Sequence, residues 1–374
     1  MANVLPFETR VRIISALCEG NSIRAASRLT GVDKNAVMNL GLRIGEGCGH
    51  LHNALVRGLA SYYVQCDETW SFIHTKEARC DPSKDPAEWG DVYSFLALDS
   101  TSKVMISFLV GKRDGASTEA FIADLRARLT VVPQISTDGW QPYVSAVAES
   151  FRGVADFGQV VKSYRTGSRR GPDHRYEPPR DPFITKTPIF GSPDMAKLST
   201  SHVERVNLTM RHTVGRTRRL CLAFSKTMRG HSAAMALGVM AYNFTKIHST
   251  LGMTPAMAAG IADHPWTMGE LVTAALEAEP VAAPEPVKLA LPPGHVSAAR
   301  ELPNGRGFLR VVGASGGGTA PQSPTTPATP PPVVPVEPRV HVTVPVASGP
   351  AGQLDLLAWR PKARPKGQLN LFGE

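Results

Sequence analysis

The chain has 374 residues, a formal net charge of +9 and five cysteines. That length suits two or three domains, and the excess of Lys and Arg favours a polyanionic partner. Cys18, Cys48, Cys66, Cys80 and Cys221 form no C-x-x-C pair, which argues against a zinc ribbon or a disulfide framework. No apolar run is long enough to span a bilayer, and no apolar signal core opens the chain. A cytoplasmic, nucleoid-associated protein with no membrane partner is the expectation.

Residues 6–48 read as three helices, assigned here to a helix-turn-helix domain over 1–50. Ser22 and Asp33 are candidate N-caps of the second and third helices, and Gly31 makes the turn between them. Lys34, Asn35, Asn39 and Arg43 would then face DNA from the third helix. A plain helical bundle is the alternative. The nearby Cys48, His50 and His52 read as a local turn. Val64 to Ile73, Val92 to Asp99 and Val104 to Gly111 are β-rich runs. Ser117 is a candidate cap for a helix through Leu129. A strand from Val131 to Ser136, a helix from Tyr143 to Phe151 and a strand from Val154 to Val161 follow.

Residues 162–197 are rich in Arg, Lys, Pro and Gly, including Arg169-Arg170 and Lys186, and read as a solvated loop or a DNA-contacting insertion. A long helix is expected from about Ser199 to Leu220, with Val203, Val206, Met210 and Val214 as its apolar stripe. Arg205, Arg211, Arg216, Arg218 and Arg219 form one polycationic segment, suited to phosphate contact. A second helix should run from about Arg229 to Ile247. From residue 279 the composition turns to Pro, Ala, Val and Gly, which predicts a flexible tail over 279–374.

Three carboxylates stand in short words within this frame. Asp67 lies in Asp67-Glu68-Thr69-Trp70, Asp138 in Thr137-Asp138-Gly139-Trp140, and Glu204 in His202-Val203-Glu204-Arg205-Val206-Asn207. Carboxylate oxygens are natural ligands of hard divalent ions. Each residue also has a plainer reading. Glu68 could replace Asp67, since neighbours on a strand face opposite ways. Asp138 could be a turn residue, Glu204 a surface residue paired with arginines, and Asp99 a bystander. Trp70 and Trp140 are more simply packing residues than platforms for a base.

With Phe224-Ser225-Lys226, Tyr242-Asn243-Phe244, His248-Ser249-Thr250-Leu251 and Thr254-Pro255-Ala256, these words resemble the DDE transposases of bacterial insertion sequences, most closely the insertion-sequence-one family. The resemblance covers roughly 60–262. The element order, three strands, helix, strand, helix, strand, is that of the ribonuclease-H-like fold. The expected class is therefore α/β, a mixed sheet with flanking helices over 60–262. The resemblance implies that Asp67, Asp138 and Glu204 hold Mg²⁺ or Mn²⁺, as two ions. It also implies DNA contacts by Arg211 and Asn207, and double-stranded DNA, both terminal repeats and target, as the partner of a homodimer or higher oligomer. A regulator or nuclease of the same fold without strand transfer is the alternative. The chain departs from the family in having no N-terminal zinc-binding cysteines.

Two words close the chain: Gln353-Leu354-Asp355-Leu356-Leu357 and Gln368-Leu369-Asn370-Leu371-Phe372. The second resembles the peptide by which bacterial replication and repair proteins dock on the sliding clamp. Gln353, Leu354, Leu356 and Leu357 form the weaker copy. Gln368, Leu369, Leu371 and Phe372 form the fuller one.

Overall fold

The computed structural model describes residues 4–81, 83–163, 183–219 and 222–291. Its contacts divide the chain into two units, Met1–Ala298 and Ala299–Glu374. All described residues belong to the first.

Three helices open it: α1 (Phe7–Cys18), α2 (Ile23–Thr30) and α3 (Lys34–Leu55). Ser22 accepts the Ala25 amide and Asp33 the Asn35 amide, so both expected caps form. Ile13, Ala26 and Val37 make a small core beneath them. The third helix does not end by residue 48. It continues to Leu55, carrying Cys48, His50 and His52 on a helix where a turn was expected. Tertiary packing explains the extension. The second half of α3 lies against α7 (Met228–Phe244) and α9 (Met268–Glu277). A Cβ on Gly45 would stand 2.3 Å from the Ala233 carbonyl oxygen, and one on Gly47 1.9 Å from that of Ala275. Glycine weakens a helix by itself; here it permits backbones to approach and bury their neighbours. The domain border expected at residue 50 consequently falls inside one helix.

The sheet has six strands: β1 (Tyr63–Ile73), β2 (Gly90–Asp99), β3 (Met105–Gly111), β4 (Gln134–Thr137), β5 (Asp156–Ser163) and β6 (Phe183–Phe190). Their order is β3-β2-β1-β4-β5-β6. The pairs β1–β2, β2–β3 and β5–β6 are antiparallel, and β1–β4 and β4–β5 are parallel. The class is thus α/β with a mixed sheet. β6 corrects the reading of 162–197 as loop. Its proline and polar residues hid it, but Pro188 is tolerated on an edge strand, where half the backbone groups need no partner.

Helices α4 (Gly115–Arg128) and α5 (Pro142–Ser150) cover one face, with Phe121, Leu125, Tyr143 and Val147 packed on Cys66, Phe95 and Ile135. The cap of α4 is Asp114, which accepts the Ser117 amide, so Ser117 is inside the helix and not its cap. On the other face, Val203, Val206 and Met210 of α6 (Ser201–Thr213) pack with α7 on Leu96 and Leu98. α6 is shorter than expected. Val214 turns extended, and the Thr217 hydroxyl donates to the Met210 and Val214 carbonyls at 3.1 and 2.8 Å, closing the helix.

Several shared words prove to be scaffold. Asn243 is fully buried and exchanges two hydrogen bonds with the Met105 backbone, at 2.9 and 3.0 Å, fixing α7 to β3. Ser225 is fully buried; its carbonyl accepts the His74 amide at 2.8 Å, and its hydroxyl bonds His231 Nδ1 at 2.8 Å. Thr254 caps the short helix α8 (Pro255–Ala258). α9 was not anticipated, although Thr267 and Glu270 form a complete capping box at its start.

The tail was expected from residue 279, but its first described residues are bonded to the domain. Residues 279–291 run along the domain: Asn53 donates to the Val281 carbonyl at 3.1 Å, and Ala290 pairs with Thr130 and Val132 through the backbone. Arg169-Arg170 and both Gln-Leu words lie outside the described residues. Among those described, no helix is long and apolar enough to cross a membrane.

The helix crossing generates a paired prediction. Gly47→Ala should lower stability by about 1–3 kcal/mol, because a carbonyl oxygen occupies the new methyl's place. Gly49→Ala, whose nearest neighbour would be the Ala236 methyl at 3.9 Å, should be neutral or stabilising by up to ~1 kcal/mol. Urea unfolding of the two variants checks this, and equal effects would contradict the packing argument.

Candidate acidic metal centre

The site sits where β1 outruns β4. The two strands pair in parallel from Tyr63↔Gln134 to Gln65↔Ser136, and β4 then ends at Thr137. Asp138 follows at once, so the register brings it level with Asp67. Openings at the carboxyl ends of parallel strands are common places for ligands. Asp67 is paired with Leu96 and faces α6, whereas Glu68 is paired with Phe95 and faces α4 and α5. The two side chains nevertheless converge past the end of β4. One oxygen from each of Asp67, Glu68 and Asp138 lies within 4.8 Å of the others.

Each carboxylate is held differently. Asp67 Oδ2 accepts from Asn207 Nδ2 of α6 at 2.7 Å. Glu68 has a side chain only 2% exposed; Arg113 Nε donates to Oε1 at 2.6 Å and Tyr143 Oη to Oε2 at 3.1 Å. Asp138 Oδ1 accepts the Trp140 amide at 3.0 Å, and Oδ2 lies 3.4 Å from Arg113 Nη2. Burial, followed by the charges of Glu68 and Asp138, pushes the Asp67 carboxyl up to about 7. Burial, followed by the charge of Asp138, raises Glu68 as well.

Glu204 stands apart from this group. It lies one turn before Asn207 on α6, but Lys162 of β5 donates to both its oxygens and Thr200 Oγ1 donates to Oε1 at 2.7 Å. Helix α6 itself is seated by Gln65 of β1, whose Oε1 accepts the His202 and Val203 amides at 2.9 and 3.1 Å. Gln65, Arg113, Tyr143 and Lys162 were not anticipated. Only Arg113 carried a signal, as a cation in Lys112-Arg113-Asp114 directly after a strand.

Other expected site residues divide between surface and interior. Lys34, Asn35, Asn39 and Arg43 are exposed along one side of α3, and Arg205, Arg218 and Arg219 are exposed near α6. Asn207, expected at the DNA, is buried with its amide on Asp67. Arg211 and Arg216 are half-buried, Arg216 donating towards Ser225 Oγ at 3.4 Å. The arginines after Thr213 therefore leave the helix and do not share one face with Arg205. Asp99 is a turn residue, accepting from the Ser102 amide and hydroxyl at 2.9 and 2.6 Å. Trp140 packs, its indole donating to Thr118 Oγ1 at 3.2 Å.

The donor set fits a hard divalent cation. It offers oxygens alone, gathered around one point, with mutual repulsion that an ion would offset. Beside it, Asn207 Oδ1 is a buried acceptor with no partner among the described residues.

No protein-family model matches the chain, and no curated protein matches it. Among solved structures, the chain is similar to a piggyBac transposase synaptic complex with hairpin DNA, at 10% identity and a TM-score of 0.30, over 58% of this chain and 52% of that one. It is also similar to the Mos1 transposase paired-end complex with the left transposon end, at 14% identity and a TM-score of 0.18, over 41% and 58% respectively. The matched parts are thus little more than half the length of those proteins.

The raised Asp67 carboxyl sets the pH dependence of the ion-free protein. Its folded value exceeds its ordinary 3.8, so its contribution to stability is present in full below about pH 4 and is lost as pH rises to about 7. At ~1.4 kcal/mol per unit, the loss has an upper bound of ~4 kcal/mol. In a chelator, the wild type should lose stability between pH 4 and 8, and Asp67→Asn should lose much less. Urea unfolding across that range measures it; identical slopes would refute the electrostatic account.

Proposed function

We propose that the chain is a DNA strand transferase of the DDE transposase class, resembling the insertion-sequence-one family, built on a ribonuclease-H-like domain. The observation that carries this reading is the convergence of Asp67 and Asp138 at the split between two parallel strands, with the helix of Glu204 and Asn207 bonded to Asp67. Asp67 and Asp138 would hold Mg²⁺ or Mn²⁺, with Glu204 from α6 as the further ligand. Such ions supply the positive charge that the attacking and leaving oxygens of an in-line phosphoryl transfer require. Asn207 orients Asp67, and Gln65 holds α6 at the site. The terminal repeats of a mobile element and its target DNA are the proposed substrates, and a DNA-bound dimer or larger oligomer the proposed assembly.

A strand-transfer assay with labelled repeat ends, Mn²⁺ and a target plasmid tests this reading. Ala at Asp67 or Asp138 should reduce joining by at least ~10³-fold while end binding stays within about twofold, the scale of losing a group that stabilises only the transition state. Joining at the wild-type rate by Asp138→Ala would refute the assignment. One observation favours the alternative of a non-catalytic DNA-binding protein: Lys162 occupies Glu204. Binding without cleavage in the same assay would favour that alternative.

We further propose that α3 reads the terminal repeat. Its Lys34, Asn35, Asn39 and Arg43 are exposed in one row next to the α2–α3 turn. Substituting Asn35 or Asn39 by Ala should change base preference, at about 1–3 kcal/mol per lost base contact. Substituting exposed Arg205 should weaken all sequences alike and flatten the salt dependence. Binding-site selection from a random DNA library distinguishes the two. An unchanged preference in the Asn variants would remove α3 from this role.

A further inference from the structure

We propose that Arg113 is the resident counter-cation of the acidic centre, a positioning residue that ties Glu68 to Asp138 and cedes Asp138 to an arriving divalent ion. This rests on the reading of the centre as a metal site.

The geometry has a tight end and a loose end. At the tight end, Arg113 Nε is 2.6 Å from an oxygen of the buried Glu68, whose second oxygen is taken by Tyr143. A carboxylate with both oxygens satisfied and 2% exposure is an anchor more than an open ligand. The guanidinium also lies over the Trp140 ring, 4.2 Å from its centroid, and 5.7 Å from that of Tyr93. Stacking on these rings fixes its plane. At the loose end, Nη2 is 3.4 Å from Asp138 Oδ2, long for an ionic hydrogen bond, and the Asp138 side chain is 37% exposed.

Asp67 is bonded by the neutral Asn207 and by the Glu68 backbone, and a positive charge that acts on it is that of Arg211 from α6, which makes no ion pair with it among the described residues. The carboxylates without a close ion pair among the described residues are therefore Asp67 and Asp138, the two that flank the split between β1 and β4. An ion binding there would take Asp138 from Arg113, while Glu68 and the aromatic rings keep the guanidinium in place. It would then be a fixed positive charge close to the ion, and its charge opposes ion entry. Glu68 accordingly serves as the anchor of Arg113. Between the adjacent carboxylates on β1, Asp67 is then the ligand, since Glu68 is committed to the close ion pair with Arg113.

Calorimetric titration of the full chain with Mn²⁺ at pH 8 tests the proposal. Arg113→Gln keeps a donor for Glu68 but removes the charge, and should tighten Mn²⁺ binding by about tenfold, the scale of one unit charge acting over a few ångströms. Arg113→Lys retains the charge and should stay within about threefold of wild type, a contrast that a merely structural role would not produce. Equal or weaker binding by Arg113→Gln would overturn the proposal. Wild-type protein that binds no Mn²⁺ would remove the metal site itself, and this inference with it. If Arg113→Gln does not fold in chelator, added Mn²⁺ should restore folding by supplying the missing charge, and failure to do so would equally overturn the proposal.

Discussion

Three carboxylates are forced together at the point where β1 continues and β4 stops, and their repulsion is the constraint around which the centre is organised. Asp67, Glu68 and Asp138 cannot all be ionised at close range without compensating charge. The chain answers with an arginine bonded to Glu68 and Asp138, a tyrosine on Glu68 and an amide on Asp67. Even so, Asp67 is left protonated up to about pH 7. A site that is costly without positive charge gains the most from acquiring it, and this links the electrostatics of the fold to the chemistry proposed for it.

The rest of the domain serves to hold that arrangement still. β1 supplies Asp67 and Glu68, and two residues earlier it supplies Gln65, which seats the first turn of α6. α6 returns Asn207 to Asp67. α7, bonded through Asn243 to the start of β3, backs the sheet face on which α6 rests. α3 joins the N-terminal helices to this body through two glycines that let it approach α7 and α9. A residue read as a candidate for DNA contact, Asn207, and words read as family markers, such as Tyr242-Asn243-Phe244, thus have structural duties that account for their chemistry.

What could be read from the sequence was local. Ser22 and Asp33 cap their helices because a side-chain oxygen beside a free amide acts within a few residues. The alternating or apolar runs of the first five strands, and the positions of Asp67 and Asp138 at strand and strand end, are local features too. What escaped was decided across the fold. Arg113 meets Glu68 across 45 residues, and Lys162 meets Glu204 across 42. The length of α3 depends on α7 and α9, which override its glycines. The end of α6 depends on one threonine hydroxyl that reaches back to the last turn. The strand β6 was hidden by Pro188, which its edge position permits. The inward turn of Arg216 follows from that early helix end, which periodicity extended to Leu220 could not foresee.

The central claim is that divalent ions bind between Asp67 and Asp138. Anomalous scattering from a crystal of the full chain soaked in Mn²⁺ tests it directly. The account predicts a manganese peak within coordination distance of both carboxylates, about 2.0–2.3 Å, with Glu68 still bonded to Arg113. No peak at Asp67, or manganese bound only elsewhere on the surface, would contradict it.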